Sequence, residues 1–219
     1  MGSVGALCYH VSEETAMAVA DTVLPPDTLM GLHPERPGPV RATDFETWVQ
    51  EPDRPVELIA GWVLPMSPGN YPTGRRTAHL AAALLPLVDA RGWDLSQDAR
   101  HVLPHPWDTV VFPDLVIHCM AEVEYALGTE TVSRVPDLVI ELLSKETAER
   151  DKAPRGAKFL AYQMSGVAEY YYCWPDGREA AGFRREGGVF VPVEADGEGF
   201  FRSALLGVGL RLVPAAVRR

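Results

Sequence analysis

The stretch Val135-Pro-Asp-Leu-Val-Ile-Glu-Leu-Leu-Ser144 constrains this chain more than any other. It is apolar and rich in β-branched residues, as a strand buried on both faces must be, yet a glutamate stands inside it. Side chains alternate along a strand, so Asp137, Val139 and Glu141 share one face. An unpaired carboxylate buried there is costly or is forced to take a proton. A cation is the simplest remedy. Nearly the same word occurs upstream as Phe112-Pro-Asp-Leu-Val-Ile-His118. If the two strands are neighbours in the sheet, Asp114 and Glu141 stand side by side.

The surroundings read as one α/β domain. Thr43-Asp44-Phe45-Glu46 has the form of a capping box opening a helix to about Gln50. Val56–Ala60 and Trp62–Met66 read as a hairpin around Ala60-Gly61. Thr77–Ala90 has helical spacing, with Pro86 implying a kink or a start near that proline. Short strands are expected at Ala99–Leu103 and Thr109–Val111, and longer buried ones at Leu115–Cys119 and Leu138–Leu143. Pro154–Met164 reads as a helix with proline near its first turn, and Ala168–Trp174 as an aromatic strand. The glycine-punctuated remainder reads as antiparallel strands. The expected fold is thus a mixed β-sheet flanked by helices with trailing antiparallel strands. Residues 1–41, with a helix at Ser12–Thr22 followed by Pro25, Pro26, Pro34, Pro37 and Pro39, read as a partly irregular arm before a domain at 42–219.

Composition narrows the function. The chain has 219 residues and no apolar run of the roughly 20 needed to span a bilayer. The N-terminus has no basic segment leading into an apolar one. Cys8, Cys119 and Cys173 are odd in number and widely spaced, which argues for a reducing, cytoplasmic compartment and against a zinc or disulfide framework. The formal net charge of -10 argues against tight nonspecific binding to nucleic acid, though not against local phosphate contacts.

A chemical set follows. Mg²⁺ is a hard ion that takes one or two carboxylates, a carbonyl and several waters. Asp114, Glu141 and the carbonyl of Leu142 form such a set for Mg²⁺ or Mn²⁺, and Lys158 on the next helix is placed to orient a water and offset charge on phosphate. The plainer alternative is a structural ion pair between Glu141 and Lys158 or an arginine. Arg75, Arg76, Lys145, Arg150, Lys152 and Arg155 form either a phosphate-contacting rim or a mixed solvated surface interleaved with acids. His118 stands where Glu141 stands in the repeated word, but reads as a core or strand-end histidine. Tyr170, Tyr171, Tyr172 and Trp174 read as sheet packing or a dimer seam.

Over residues 43–213 the chain resembles the PD-(D/E)XK nuclease superfamily, and within it the Uma2 (DUF820) family of restriction-endonuclease-like proteins. The landmarks are Val56-Glu-Leu-Ile-Ala-Gly61, Met66-Ser-Pro68, Phe112-Pro-Asp-Leu115, Pro136 to Ser144, Arg150-Asp151, Lys158-Phe-Leu-Ala-Tyr162 and Gly166-Val-Ala-Glu-Tyr170. The resemblance implies a restriction-endonuclease-like core and a metal site from Asp114 and Glu141. It further implies that the superfamily lysine, which would fall at Leu143, has migrated to Lys158. Glu57 matches an early family glutamate that completes the acidic cluster. Asp137 matches the second Pro-Asp and serves the fold as much as the metal. Departures lie at the rim: Ser144-Lys-Glu-Thr147, Thr73 where a histidine is usual, and Cys173-Trp-Pro175.

Three functions are consistent with this reading. The first is a Mg²⁺-dependent endonuclease acting on DNA phosphodiesters, with a homodimer plausible from the resemblance. The second is a non-catalytic interaction or regulatory protein on the same fold. The third is a metal-dependent hydrolase of small phosphates.

Overall fold

The computed structural model describes residues 40–45, 55–67, 70–103, 108–120, 131–132 and 134–218. The expected helix at Ser12–Thr22 and most of the expected arm lie outside them, as does the continuation of the first helix beyond Phe45. That helix, α1 (Ala42–Phe45), is followed by the hairpin β1 (Val56–Ile59) and β2 (Trp62–Pro65). Ala60 and Gly61 at its turn have φ of 52° and 80°, the left-handed geometry that a two-residue hairpin loop demands.

Helix α2 (Tyr71–Asp89) starts six residues before the expected Thr77, and one helix runs through Pro86 to Asp89. Asn70 is its cap, accepting the Thr73 N–H at 3.0 Å, and Pro72 sits in the first turn where its missing N–H is not needed. Asn70 carries the start signal that apolar periodicity alone conceals. The helix buries Leu80, Ala81, Leu84 and Val88.

The remaining strands are β3 (Asp94–Ser96), β4 (Arg100–Leu103), β5 (Thr109–Val111), β6 (Leu115–His118), β7 (Thr131–Val132), β8 (Leu138–Leu142), β9 (Glu169–Cys173), β10 (Ala180–Glu186), β11 (Val189–Val193), β12 (Phe201–Arg202), β13 (Gly209–Arg211) and β14 (Ala216–Arg218). The short helix α3 (Ala148–Asp151) precedes α4 (Ala157–Ser165). Pro154 therefore lies between two helices, not in the first turn of one, and α4 opens at Gly156.

Instead of one sheet there are three. A mixed sheet in the order β2-β1-β5-β4-β7 faces a second mixed sheet, β11-β10-β9-β8-β6-β3. A small antiparallel sheet, β12-β13-β14, carries the C-terminal meander. Strand β8 is central, pairing antiparallel with β6 and parallel with β9. Its alternating faces define two cores. Val139 joins Ile59, Val111, Phe159, Tyr162 and Tyr170 between the sheets and α4. Leu138, Ile140 and Leu142 face the other way onto α2 and the small sheet. Tyr170, Tyr171 and Tyr172 are all buried, so the aromatic strand is sheet packing. Val40 and Phe45 cover the outer face of the first sheet with Leu58, Val63 and Val110. No helix among the described residues is long and apolar enough to cross a membrane.

Candidate active site

The sequence repeat acquires its meaning from the direction of pairing. Leu115 pairs with Ile140 and Ile117 with Leu138, so the register extended by one residue sets Asp114 opposite Glu141. Directly opposed side chains stand about 5 Å apart at Cβ. The same register sets Asp137 opposite His118, at the far end of the strands.

At the near end, Asp114 Oδ2 accepts the Leu142 N–H at 2.7 Å. That bond shows that the Leu142 peptide edge faces β6, where its opposite number is Pro113, a residue with no N–H to offer its carbonyl. Burial raises the Asp114 carboxyl well above the usual range, the charge of Glu141 adds to the rise, and the Leu142 amide only partly offsets it. A cation beside Asp114 would oppose that rise.

On its other side Glu141 meets α4. Lys158 Nζ lies 2.7 Å from Glu141 Oε1, and Tyr162 Oη donates to the same oxygen at 2.7 Å. Lys158 and Tyr162 are one helical turn apart, so both reach one point on the strand. Lys158 also donates to Glu57 Oε1 at 3.0 Å, and that oxygen accepts the Phe112 N–H at 3.0 Å. Arg150 Nη2 lies 3.1 Å from Glu57 Oε2, while its Nη1 donates to the Pro65 carbonyl at 2.7 Å. All five side chains are buried, Glu57 and Glu141 being 1 % and 2 % exposed. Burial would raise the Glu57 carboxyl, but Lys158 and Arg150 reverse this and hold it below its usual value. Burial likewise works to lower the Lys158 ammonium, and the charges of Glu141, Glu57 and Asp151 push it above its usual value.

Glu57, Asp114, Glu141, Arg150 and Lys158 line a cleft of about 570 Å³. Thr73, from the first turns of α2, and Ser144 lie on its wall with Asp98 and Asp151. Sequence reading missed Asp98, which follows a three-residue strand too short to show periodicity. Its φ of 50° is unusual for a residue with a side chain, and its N–H donates to the Pro113 carbonyl, which ties it beside Asp114. Burial and the Glu141 charge raise its carboxyl pKa. Tyr162 and Asp151 were visible within quoted landmarks but carried no role.

Some predicted residues stand elsewhere. Asp137 is the cap of the opposite strand end, where its Oδ2 accepts the Cys119 N–H at 2.7 Å and its carbonyl accepts the Ala168 and Glu169 N–H groups at 3.1 Å. It lies four residues from Glu141, about 13 Å along a strand, and supports the fold there. The basic rim is dispersed. Arg150 is buried on Glu57, Arg76 donates to the Pro175 carbonyl at 3.1 Å, and Lys152 pairs with Glu179 at 3.0 Å. Arg75, Lys145 and Arg155 are exposed.

Glu169 shows what a purely structural carboxylate looks like in the same sheet. It accepts from Tyr171 Oη, Ser203 Oγ and the Ala204 and Leu205 N–H groups, at 2.6–3.0 Å. Donors of the fold thus surround it completely. Glu141 has an ammonium and a phenol on one oxygen and an open cleft beside it.

The donor chemistry suits a hard divalent ion. Among the described residues no group of three or more His, Cys, Asp or Glu side chains is placed to hold a metal ion. A Mg²⁺ site here would rest on two carboxylates and a carbonyl, with water completing it, a set that this ion accepts.

The model of Uma2, described as "Putative restriction endonuclease", matches residues 42–215. The chain belongs to the Uma2 family. A crystal structure titled as a "putative nuclease belonging to DUF820" from Anabaena variabilis ATCC 29413 shares the fold with a TM-score of 0.63. That match has 15 % sequence identity and covers 80 % of this chain and 96 % of the other. No curated protein matches the sequence. The Uma2 span begins at α1 and ends between β13 and β14, so it contains every cleft residue named above.

Proposed function

We propose that this Uma2 protein is a metal-dependent endonuclease that hydrolyses DNA phosphodiester bonds. One observation carries the reading: Asp114 and Glu141 oppose each other on antiparallel strands at the wall of an open cleft, with Lys158 on Glu141's other side. The family description and the nuclease title of the structural neighbour support it.

Asp114, Glu141 and the Leu142 carbonyl would hold Mg²⁺ or Mn²⁺. When bound, such an ion activates water and neutralises charge on the phosphate. The chain's own residues supply the rest. Lys158, kept protonated by its acidic neighbours, presents a fixed positive charge where negative charge grows on the phosphoryl oxygens. Glu57 and Tyr162 fix Lys158 and Glu141 in place, and Arg150 anchors Glu57 from behind. The test is cleavage of plasmid and single-stranded DNA with Mg²⁺ or Mn²⁺. Activity no greater than that of the Asp114→Ala/Glu141→Ala double variant on both substrates would remove the proposal.

A second reading, an interaction module without catalysis, draws on the pairing of Lys158 with both glutamates. That pairing satisfies Glu141 without an ion. Calorimetry with Mg²⁺ separates the two, since this reading expects no heat of binding at millimolar ion.

A further inference from the structure

Glu57 and Glu141 hold Lys158, and Asp114 takes the Leu142 amide, but the cleft has a further buried acid with no such task. Asp151 is 3 % exposed and lines the cleft, and its Oδ1 has no hydrogen-bond partner. The Arg150 Nε lies 3.9 Å from that oxygen, beyond hydrogen-bonding distance. A buried carboxylate oxygen left without a donor is costly, and the fold does nothing to move it away. Its main chain is pinned on both sides: the N–H donates to the Thr147 carbonyl at 3.2 Å, and the carbonyl accepts Tyr170 Oη at 2.7 Å.

Lys158 lines the same cleft. Helix α4 begins against the end of α3, so closely that a Cβ at Gly156 would lie 2.4 Å from the Arg150 carbonyl oxygen. An ammonium has three donors, and the partners of Lys158 among the described residues are Glu57 and Glu141. An ion on Glu141 would repel the ammonium from the oxygen they share. Glu57 alone could not balance it, because Glu57 also answers Arg150. Burial raises Asp151 to a pKa of about 7, and the charge of Lys158 is the first influence opposing that rise, so the two groups already feel one another.

We propose that Asp151 is a positioning residue for Lys158, the seat to which the ammonium turns when Glu141 takes up a divalent ion. The inference rests on the metal reading above. It assigns the unpartnered oxygen a task and explains how one lysine could pair with Glu141 and still stay charged once an ion binds there.

The experiment uses the full chain and Mg²⁺ alone, without substrate, at pH 8. Mg²⁺ affinity is measured by calorimetry, and the Lys158 Cε resonance by carbon NMR, assigned through Lys158→Arg. In the wild type and Asp151→Glu, saturating Mg²⁺ moves the Lys158 resonance. In Asp151→Asn the Mg²⁺ Kd rises about tenfold and the resonance stays where it was. Equal affinity and an equal resonance shift in Asp151→Asn overturn the inference while leaving the metal site standing. No Mg²⁺ binding by the wild type overturns both. If Asp151→Asn does not fold, the wild-type resonance decides: unmoved by saturating Mg²⁺, it overturns the inference.

Discussion

The two ends of the β6–β8 pair are written in nearly the same words and do opposite things. Each strand opens with Pro-Asp-Leu-Val-Ile, and one closes on His118, the other on Glu141. Because the pairing is antiparallel, each aspartate meets the other strand's closing residue. At one end Asp114 meets Glu141 beside Lys158 and a cleft. At the other the partly buried Asp137 meets the fully buried His118, and the Asp137 carboxylate caps the Cys119 N–H. A parallel pairing would have set the aspartates together and left Glu141 beside the histidine. Direction alone turned a repeat into one end that lines the cleft and one that packs on a histidine.

The structural end has its own logic. His118 Nε2 and His101 Nε2 are 3.2 Å apart across the two sheets, and both rings are fully buried. His101 Nδ1 lies 2.7 Å from the Ala99 carbonyl, which can only accept, so that nitrogen carries the proton. Neutral His101 then has a bare Nε2, and His118 must donate to it. Burial pushes His118 down to about 3, and the charges of His101 and Arg134 push in the same direction. The His101–His118 contact thus needs both rings neutral, whereas the other end of the strand pair is built from charged side chains.

That contrast is broken most severely at the cleft end. Glu141→Ala should lower DNA cleavage at least about 10³-fold, about 4 kcal/mol of transition-state stabilisation. Asp137→Ala, its same-face neighbour, should leave Mg²⁺ binding unchanged by calorimetry. If the two variants lose metal binding equally, the division into two ends is wrong.

The next effect is on stability. Glu57→Ala strips both Lys158 and Arg150 of a buried counter-charge, and leaving such charges uncompensated costs about 3–4 kcal/mol. Urea unfolding should show that loss in the midpoint, with the slope unchanged.

The histidine end should answer to acid. Above about pH 6.5 His118 is neutral in both folded and unfolded chains, so nothing is at stake there. As pH falls below that value the unfolded chain binds a proton that the folded one refuses until about pH 3. Stability is therefore lost on the way down, by about 3 kcal/mol at pH 4. The measurement is the unfolding free energy at pH 7 and pH 4 for the wild type and His118→Gln. The wild type should lose more over that interval, and equal losses would count against the buried pair as the cause.

The smallest effect sharpens the role of Asp137. Asp137→Ala removes the acceptor of the Cys119 N–H and should cost about 1–2 kcal/mol, read as a fall in thermal midpoint, with no change in cleavage rate.

What the amino-acid sequence determined by itself was the chemistry on offer and the α/β, mixed-sheet character of the fold. A glutamate in an apolar, β-branched run, an aspartate behind a proline and a lysine on the next helix could be read from local pattern, because strand and helix periodicity are local properties. The start of α2 at Asn70 was less legible, since a cap is one side chain and the apolar spacing begins six residues later. Asp98 and the unpartnered oxygen of Asp151 were not legible at all, because a residue's burial and company depend on segments distant in the chain. Only the tertiary structure decided that the two Pro-Asp strands run in opposite directions and that α4 docks Lys158 between β1 and β8. Hydrogen-bonded register is a relation between strands, and no pattern within either strand encodes which end of its neighbour it will meet.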